Sequence, residues 1–166
     1  MTQAATDITR DYARDVISAA LSDEKKRPVV KSFFDEATFT ISHVVRDPSS
    51  NAAAIIDSVL DYDAAAGRTS NASANALINY VKYEGLEIQW LLETHAHADH
   101  LSAAPYLQAQ LGGQLAIGRE IITVQEVFGK IFNEGTEFRR DGSQFDMLLN
   151  DGDRFRIGNL EATVMR

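Results

Sequence analysis

The chain has 166 residues, 45% of them hydrophobic, with a formal net charge of -8. That length and balance predict one soluble globular domain with its own core, and no apolar run is long enough for a membrane span. A pI near 4.9 without any block of Lys or Arg argues against nucleic acid or an anionic membrane as partner and for a small molecule. No cysteine is present, which excludes disulfides and thiol catalysis and fits a reducing compartment. The N-terminus has no apolar signal core, and Asp7, Asp11 and Asp15 oppose a mitochondrial presequence, so a cytoplasmic, bacterial protein is expected.

In chain order, Ile8, Tyr12, Ala13, Val16, Ile17, Ala20 and Leu21 fall on one stripe at helical spacing, with Thr6 or Asp7 as N-cap and Pro28 beyond the end. Such a stripe usually packs on its own domain, and a terminal one can also dock a second copy to make a homodimer. Phe39, Ile41, His43 and Val45 share one face of an extended segment, Asp47 to Asn51 carries turn chemistry, and Ala52 to Ile56 is a short apolar run, so a β-hairpin is predicted. His43 lies among apolar residues and is read as a packed histidine rather than a ligand. Asp57 closes the apolar run at a strand-to-loop transition, where α/β proteins place functional groups. Asp61, Tyr62, Asp63 and Arg68 read as a solvated loop, in which Arg68 could offer its fork to a substrate carboxylate.

Ala74, Leu77, Ile78 and Val81 make a second helical stripe ended by Gly85, and Leu86 to Leu92 returns as a near-continuous apolar strand. Strand, helix, strand predicts a parallel pair with a right-handed crossover, which brings Asp57 and the residues after Leu92 to the same sheet end. Leu101 to Leu111 reads as a helix stopped by Gly112-Gly113, Leu115 to Ile117 as a strand, and Ile121 to Ile131 as a helix. The stretch 133–146 is polar and irregular and contains the basic pair Arg139-Arg140. Met147 to Leu149, Arg154 to Ile157 and Leu160 to Met165 read as short antiparallel strands.

The densest chemistry lies in Glu93-Thr94-His95-Ala96-His97-Ala98-Asp99-His100, which holds three of the four histidines. His95 and His97 project the same way from an extended segment. With Asp99 and His100 they offer imidazole and carboxylate to Zn(II), Fe(II) or Mn(II), and the lack of any thiolate points away from a structural zinc knot. The bland alternatives are a solvated His-rich loop, or Asp99 as a helix cap before His100.

Thr94 to His100 resembles the first metal-binding motif of the metallo-β-lactamase superfamily. Phe33-Phe34-Asp35, the run from Ala54 to Asp63 and Gly67-Arg68-Thr69-Ser70 resemble its persulfide dioxygenase branch. The resemblance implies an α/β fold of the αββα sandwich type, of which this chain would form the N-terminal part. Residues 1–28 would be a helical extension and 29–166 the domain, incomplete at its C-terminus. It implies that His95, His97, Asp99 and His100 are metal ligands, that Asp99 takes part in catalysis, and that Asp57 supports the metal-binding loop from behind. The expected cofactor is Fe(II), with Zn(II) as the alternative. The expected reaction is oxidation of glutathione persulfide to sulfite with O2 at one Fe(II), for which the family joins the ligand matching His95 with a later histidine and aspartate. No histidine follows His100 here. The alternatives are a hydrolase of the same fold acting on a thioester or a lactam, and an inactive fragment with a partial metal site.

Overall fold

The computed structural model describes residues 3–135 and 137–165. Along the chain run α1 (Gln3–Ser22), β1 (Val29–Asp35), β2 (Thr40–Arg46), β3 (Ala52–Ile56), β4 (Val59–Asp63), β5 (Arg68–Ser70), α2 (Ala72–Tyr83) and β6 (Glu87–Glu93). There follow β7 (Leu101–Ser102), α3 (Ala104–Leu111), β8 (Gln114–Gly118), α4 (Ile121–Ile131), β9 (Met147–Leu149), β10 (Arg154–Ile157) and β11 (Leu160–Thr163). The main sheet has six strands in the order β1-β2-β3-β6-β8-β9. Its first two pairings are antiparallel and the remaining three parallel.

The central strands are apolar on both faces because both faces are covered. Ala53 and Ile55 of β3 and Leu91 of β6 point into a core with Leu77 and Val81 of α2 and Leu107 of α3. Ala54, Trp90 and Ala116 point the other way, against Ile157 and Phe155 of β10. Each fully buried Leu or Ile of this kind contributes on the order of 1.5–3 kcal/mol of transfer free energy. The strand, helix, strand expectation holds as a parallel pair of β3 and β6, and Gly85 ends α2 with the positive φ (63°) that a left-handed helix terminus requires.

The β10–β11 hairpin is tied to the sheet by directional contacts. Trp90 Nε1 donates to the Arg156 carbonyl at 2.7 Å, and the Trp90 and Phe155 rings lie 4.9 Å apart. Gln89 sits at a register shift between β3 and β6, and its Oε1 accepts from Gly158 N at 2.9 Å. Asp47, fully buried at the end of β2, accepts from Asn159 N at 2.9 Å and from the hydroxyls of Ser49 and Ser50. Gly158 fits where a Cβ would stand 2.5 Å from Asp47 Oδ2, so only glycine allows this approach.

Several expectations need correction. Residues 147–149 form a strand, but it pairs parallel to β8 as a sheet edge instead of joining an antiparallel set. Leu101 and Ser102 pair with β4, and the helix expected from Leu101 starts at Ala104, because Ala103 N donates to the Ser58 carbonyl and Ser102 Oγ accepts from Ala104 N. The segment 61–70 is largely a hairpin of β4 and β5, with Asp61 Oδ2 accepting from Ser73 N in the first turn of α2. In α1 the stripe is covered only in part: Tyr12, Ala13, Val16 and Ala20 are half-buried, while Ile17 is 59% and Leu21 68% exposed. Tyr12 of this stripe ties the helix to the hairpin, with its hydroxyl on Glu161 and its ring 3.8 Å beneath the Arg154 guanidinium. The helix begins before the expected caps Thr6 and Asp7; their side chains and that of Ile8 lie outside those described. Residues 133–146 carry no regular element among those described, and Arg140 there caps the end of α4, donating to the carbonyls of Gly129 and Glu134. Among the described residues no helix is long and apolar enough to cross a membrane.

Candidate metal centre

The centre forms where β3 and β6 end side by side. Asp57 N donates to the Leu92 carbonyl at 3.0 Å, so the ladder of β3 and β6 extends one step and brings Asp57 beside Thr94. Asp57 has φ 52°, a left-handed conformation that aspartate tolerates better than most residues, and this turn aims its carboxylate at the motif. Its Oδ1 accepts from Thr94 N at 2.8 Å and its Oδ2 from the Thr94 hydroxyl at 2.7 Å. Opposite, Asp57 O accepts from the Ser42 hydroxyl at 2.7 Å, which pins the turn to β2.

The hydrogen bonds assign the nitrogen each ring would offer a metal. Thr94 Oγ1 has one proton and gives it to Asp57, so it accepts from His95 Nδ1, 2.8 Å away, and His95 Nε2 keeps the lone pair. His97 Nε2 donates to Asp57 Oδ1 at 3.0 Å, which leaves Nδ1, 4.0 Å from Asp99 Oδ1. His100 Nδ1 donates to the Leu101 carbonyl at 3.0 Å, while its Nε2 is buried with no hydrogen-bond partner among the described residues. A buried nitrogen left unpaired is costly, and a cation is the partner that suits it. The rings of His95 and His97, and of His97 and His100, have centroids 4.2 Å apart. His97, Asp99 and His100 each present a ligand atom within 4.8 Å of the others. The residues fit a borderline or hard divalent ion.

Asp99 does not cap a helix: residues 98–100 are bends, and its Oδ2 accepts from the Thr40 hydroxyl at 3.1 Å. Hydrogen bonds, its own backbone N–H first and Thr40 next, lower its pKa, helped by His100 and His97. Burial lowers the pKa of His97, against the pull of Asp57, which favours the neutral ring that a metal would need.

Glu93, whose part the sequence reading missed, is 8% exposed at the end of β6. Its Oε2 lies 3.1 Å from His97 Nε2, and its Oε1 accepts from the Ser102 hydroxyl at 2.5 Å. Burial pushes its pKa up to about 7, the Ser102 hydrogen bond opposes this, and Asp57 adds to it. The signal available was a carboxylate closing an apolar strand four residues before a histidine. Thr40, Thr94 and Ser102 gave no such signal, being ordinary hydroxyls until the fold assembles them. Arg68 stands apart from His95: it lines a separate hollow with Asp35, Asp61 and Asp63. His43 bonds Ser32 across β1 and β2 at 2.9 Å and lies outside the cluster.

Beside the centre opens a cavity of about 710 Å³, walled by Ile56, Leu92, Ile117, Val124, Leu149 and Phe155. Of the motif's four ligand candidates, His95 alone lines it.

A parallel-centred α/β sheet carrying three histidines and an aspartate just past its strand ends is an arrangement that could hold a metal at the carboxyl-terminal strand edge. The family model of the metallo-beta-lactamase superfamily matches residues 37–164, and the chain belongs to that superfamily. It is 57% identical over 136 residues to a probable metallo-hydrolase of Burkholderia pseudomallei, covering 82% of this chain and 46% of that protein. It is 25% identical over 130 residues to the human mitochondrial persulfide dioxygenase ETHE1, covering 78% of this chain and 39% of that protein. The structure of ETHE1 from Myxococcus xanthus superposes with a TM-score of 0.56 at 20% identity, covering 80% of this chain and 45% of that one, and shares the fold. The chain spans less than half the length of these relatives.

Proposed function

We propose that this chain carries the first ligand motif and one wall of the substrate cavity of a mononuclear Fe(II) persulfide dioxygenase acting on glutathione persulfide. The observation that carries the reading is that His95, alone among the four candidates, lines the cavity, while His97 Nε2 donates to Asp57. One cavity-lining ligand from this segment suits a mononuclear site whose other ligands come from elsewhere. The distant likeness to human persulfide dioxygenase supports the same choice. The iron would supply O2 activation. The chain's own residues orient the His95 ring through Thr94 and Asp57, and the apolar cavity walls keep bulk water from the sulfur. The balance is persulfide, O2 and one water giving thiol, sulfite and two protons.

A second reading, a metallo-hydrolase of thioester or lactam substrates, is favoured by the convergence of His97, Asp99 and His100 within 4.8 Å and by the name of the Burkholderia relative. A metal there would lower the pKa of a water molecule, and Asp99 would orient it.

The full-length protein, loaded anaerobically with iron and given glutathione persulfide, is expected to consume oxygen and release sulfite. Thioester cleavage without oxygen uptake would replace the first reading with the second.

A further inference from the structure

The cavity beside His95 has one permanently cationic side chain among its described lining residues, Arg119. Its backbone position follows from strand register. Glu93 pairs with Ile117 in the parallel ladder of β6 and β8, and His95 and Arg119 each stand two residues further on. They leave the carboxyl ends of neighbouring strands together, where strands are about 5 Å apart.

The arginine is also held in place. Arg119 N donates to the Leu149 carbonyl at 2.8 Å, which ties its backbone to the end of β9. Arg119 Nε donates to Asn150 Oδ1 at 2.9 Å. Asn150 is oriented in turn, because Asp153 Oδ2 accepts from both its backbone N at 2.7 Å and its Nδ2 at 2.9 Å. That fixes which end of the Asn150 amide meets the guanidinium. The Nε bond occupies one edge of the guanidinium, and the two terminal nitrogens stay outside it as a fork that matches a carboxylate. Glu120 and Asp151 line the same rim and each has a partner, so Arg119 is the side chain there with a charge suited to an anion.

We infer that Arg119 is the anion-binding residue of this cavity and receives a carboxylate of the substrate, setting how the reacting end is presented at His95. The inference rests on the proposed thiol-derived substrate for its choice of ligand, though not for the anion site. It places the recognition of charge on the β8–α4 connection instead of on Arg68.

The test uses the full-length, metal-loaded protein and equilibrium titration with three probes: glutathione, its glycine-carboxyl ethyl ester, and N-acetylglycine, which has the carboxylate and no sulfur. Arg119→Gln is expected to weaken glutathione binding about tenfold or more, as loss of a charge-assisted pair of hydrogen bonds should, with metal content unchanged. Arg119→Lys should recover part of the loss. The ester, which keeps only the γ-glutamyl carboxylate, should bind wild type and variant alike where Arg119 receives the glycine carboxylate, and should stay Arg119-dependent where it receives the γ-glutamyl one. If glutathione fails to bind wild type while N-acetylglycine binds in an Arg119-dependent way, the glutathione reading falls and the anion site stands. Equal binding of either acid by wild type and Arg119→Gln, or binding of neither acid, overturns the inference.

Discussion

Asp57 and His97 lie forty residues apart in sequence and meet at 3.0 Å, Oδ1 to Nε2, at the ends of two parallel strands. The same oxygen accepts from Thr94 N, so a single carboxylate fixes both the start of the motif and the orientation of its second ring. By engaging Nε2, Asp57 leaves Nδ1 as the nitrogen that His97 would offer a metal.

Replacing Asp57 with Asn keeps a residue that tolerates positive φ but turns one acceptor into a donor. The amide then faces either the Thr94 hydroxyl or the His97 N–H wrongly. Metal affinity is expected to fall roughly 10–100-fold, with the melting curve little changed. Competition with a chromophoric chelator measures it; an unchanged dissociation constant would show that the rings orient themselves without Asp57.

His95→Ala in the full-length protein should remove metal and turnover together, since His95 is the proposed ligand that lines the cavity and its Nε2 keeps the lone pair. His43→Ala should leave metal content as it was, because His43 only pairs with Ser32 on the sheet. Elemental analysis of both variants decides this, and iron lost from the His43 variant while its fold persists would mean that the centre is drawn around the wrong residues.

Much of this arrangement was legible because strong periodicity and position coincide. The apolar runs at Ala52 to Ile56 and Leu86 to Leu92 are buried strands with a helix between, and that topology alone places Asp57 beside the histidines. Weak or mixed patterns hid the rest. β1 carries exposed Val30, Lys31, Ser32 and Phe34 as a sheet edge, so no clean alternation marks it. The direction of β9 depends on which strand it joins, a long-range matter that three residues cannot encode. Arg119 looked like any charged residue in a short connection until the register of β6 and β8 set it beside His95.

Asp47 makes a prediction about acid stability. Burial by itself would raise its pKa, but hydrogen bonds from Asn159 N and Ser49 N, then from the Ser50 and Ser49 hydroxyls, outweigh it and hold the carboxyl far below the usual range. In the unfolded chain it titrates near 3.9. A depressed native pKa means that the native state binds fewer protons, so this stabilisation is complete above roughly pH 5 and declines as pH falls through the unfolded value and below. Asp47→Asn should therefore flatten the acid limb of the stability curve, and Asp47→Ala should cost about 1–3 kcal/mol at neutral pH by leaving buried donors unpaired. Urea melts between pH 3 and 7 on wild type and variants would show it; parallel acid limbs would remove Asp47 from the account.

The last prediction concerns association of the 166-residue chain. Val127, Phe128, Ile131 and Phe132 lie exposed on and just beyond α4, with the rings of Phe128 and Phe132 stacked at 5.9 Å. Across the sheet, Phe34 and Phe39 pair edge to face at 6.2 Å and are likewise exposed, with Phe39 at 80%. Ile17 and Leu21 add a third apolar site on α1. A soluble monomer seldom leaves several large apolar side chains clustered in water, and a patch of a few hundred Å² drives burial against another surface. The edge of β1 adds unpaired backbone groups, although Lys31 on that strand opposes edge-to-edge pairing. The weight-average mass in sedimentation should therefore rise with concentration. Phe128→Asp with Ile131→Asp should shift the chain toward monomer more than Ile17→Asp with Leu21→Asp does, because four exposed apolar side chains, two of them stacked aromatic rings, cluster at α4 while α1 offers two aliphatic ones. A compact monomer across the whole concentration series would show that these side chains find cover within a single chain.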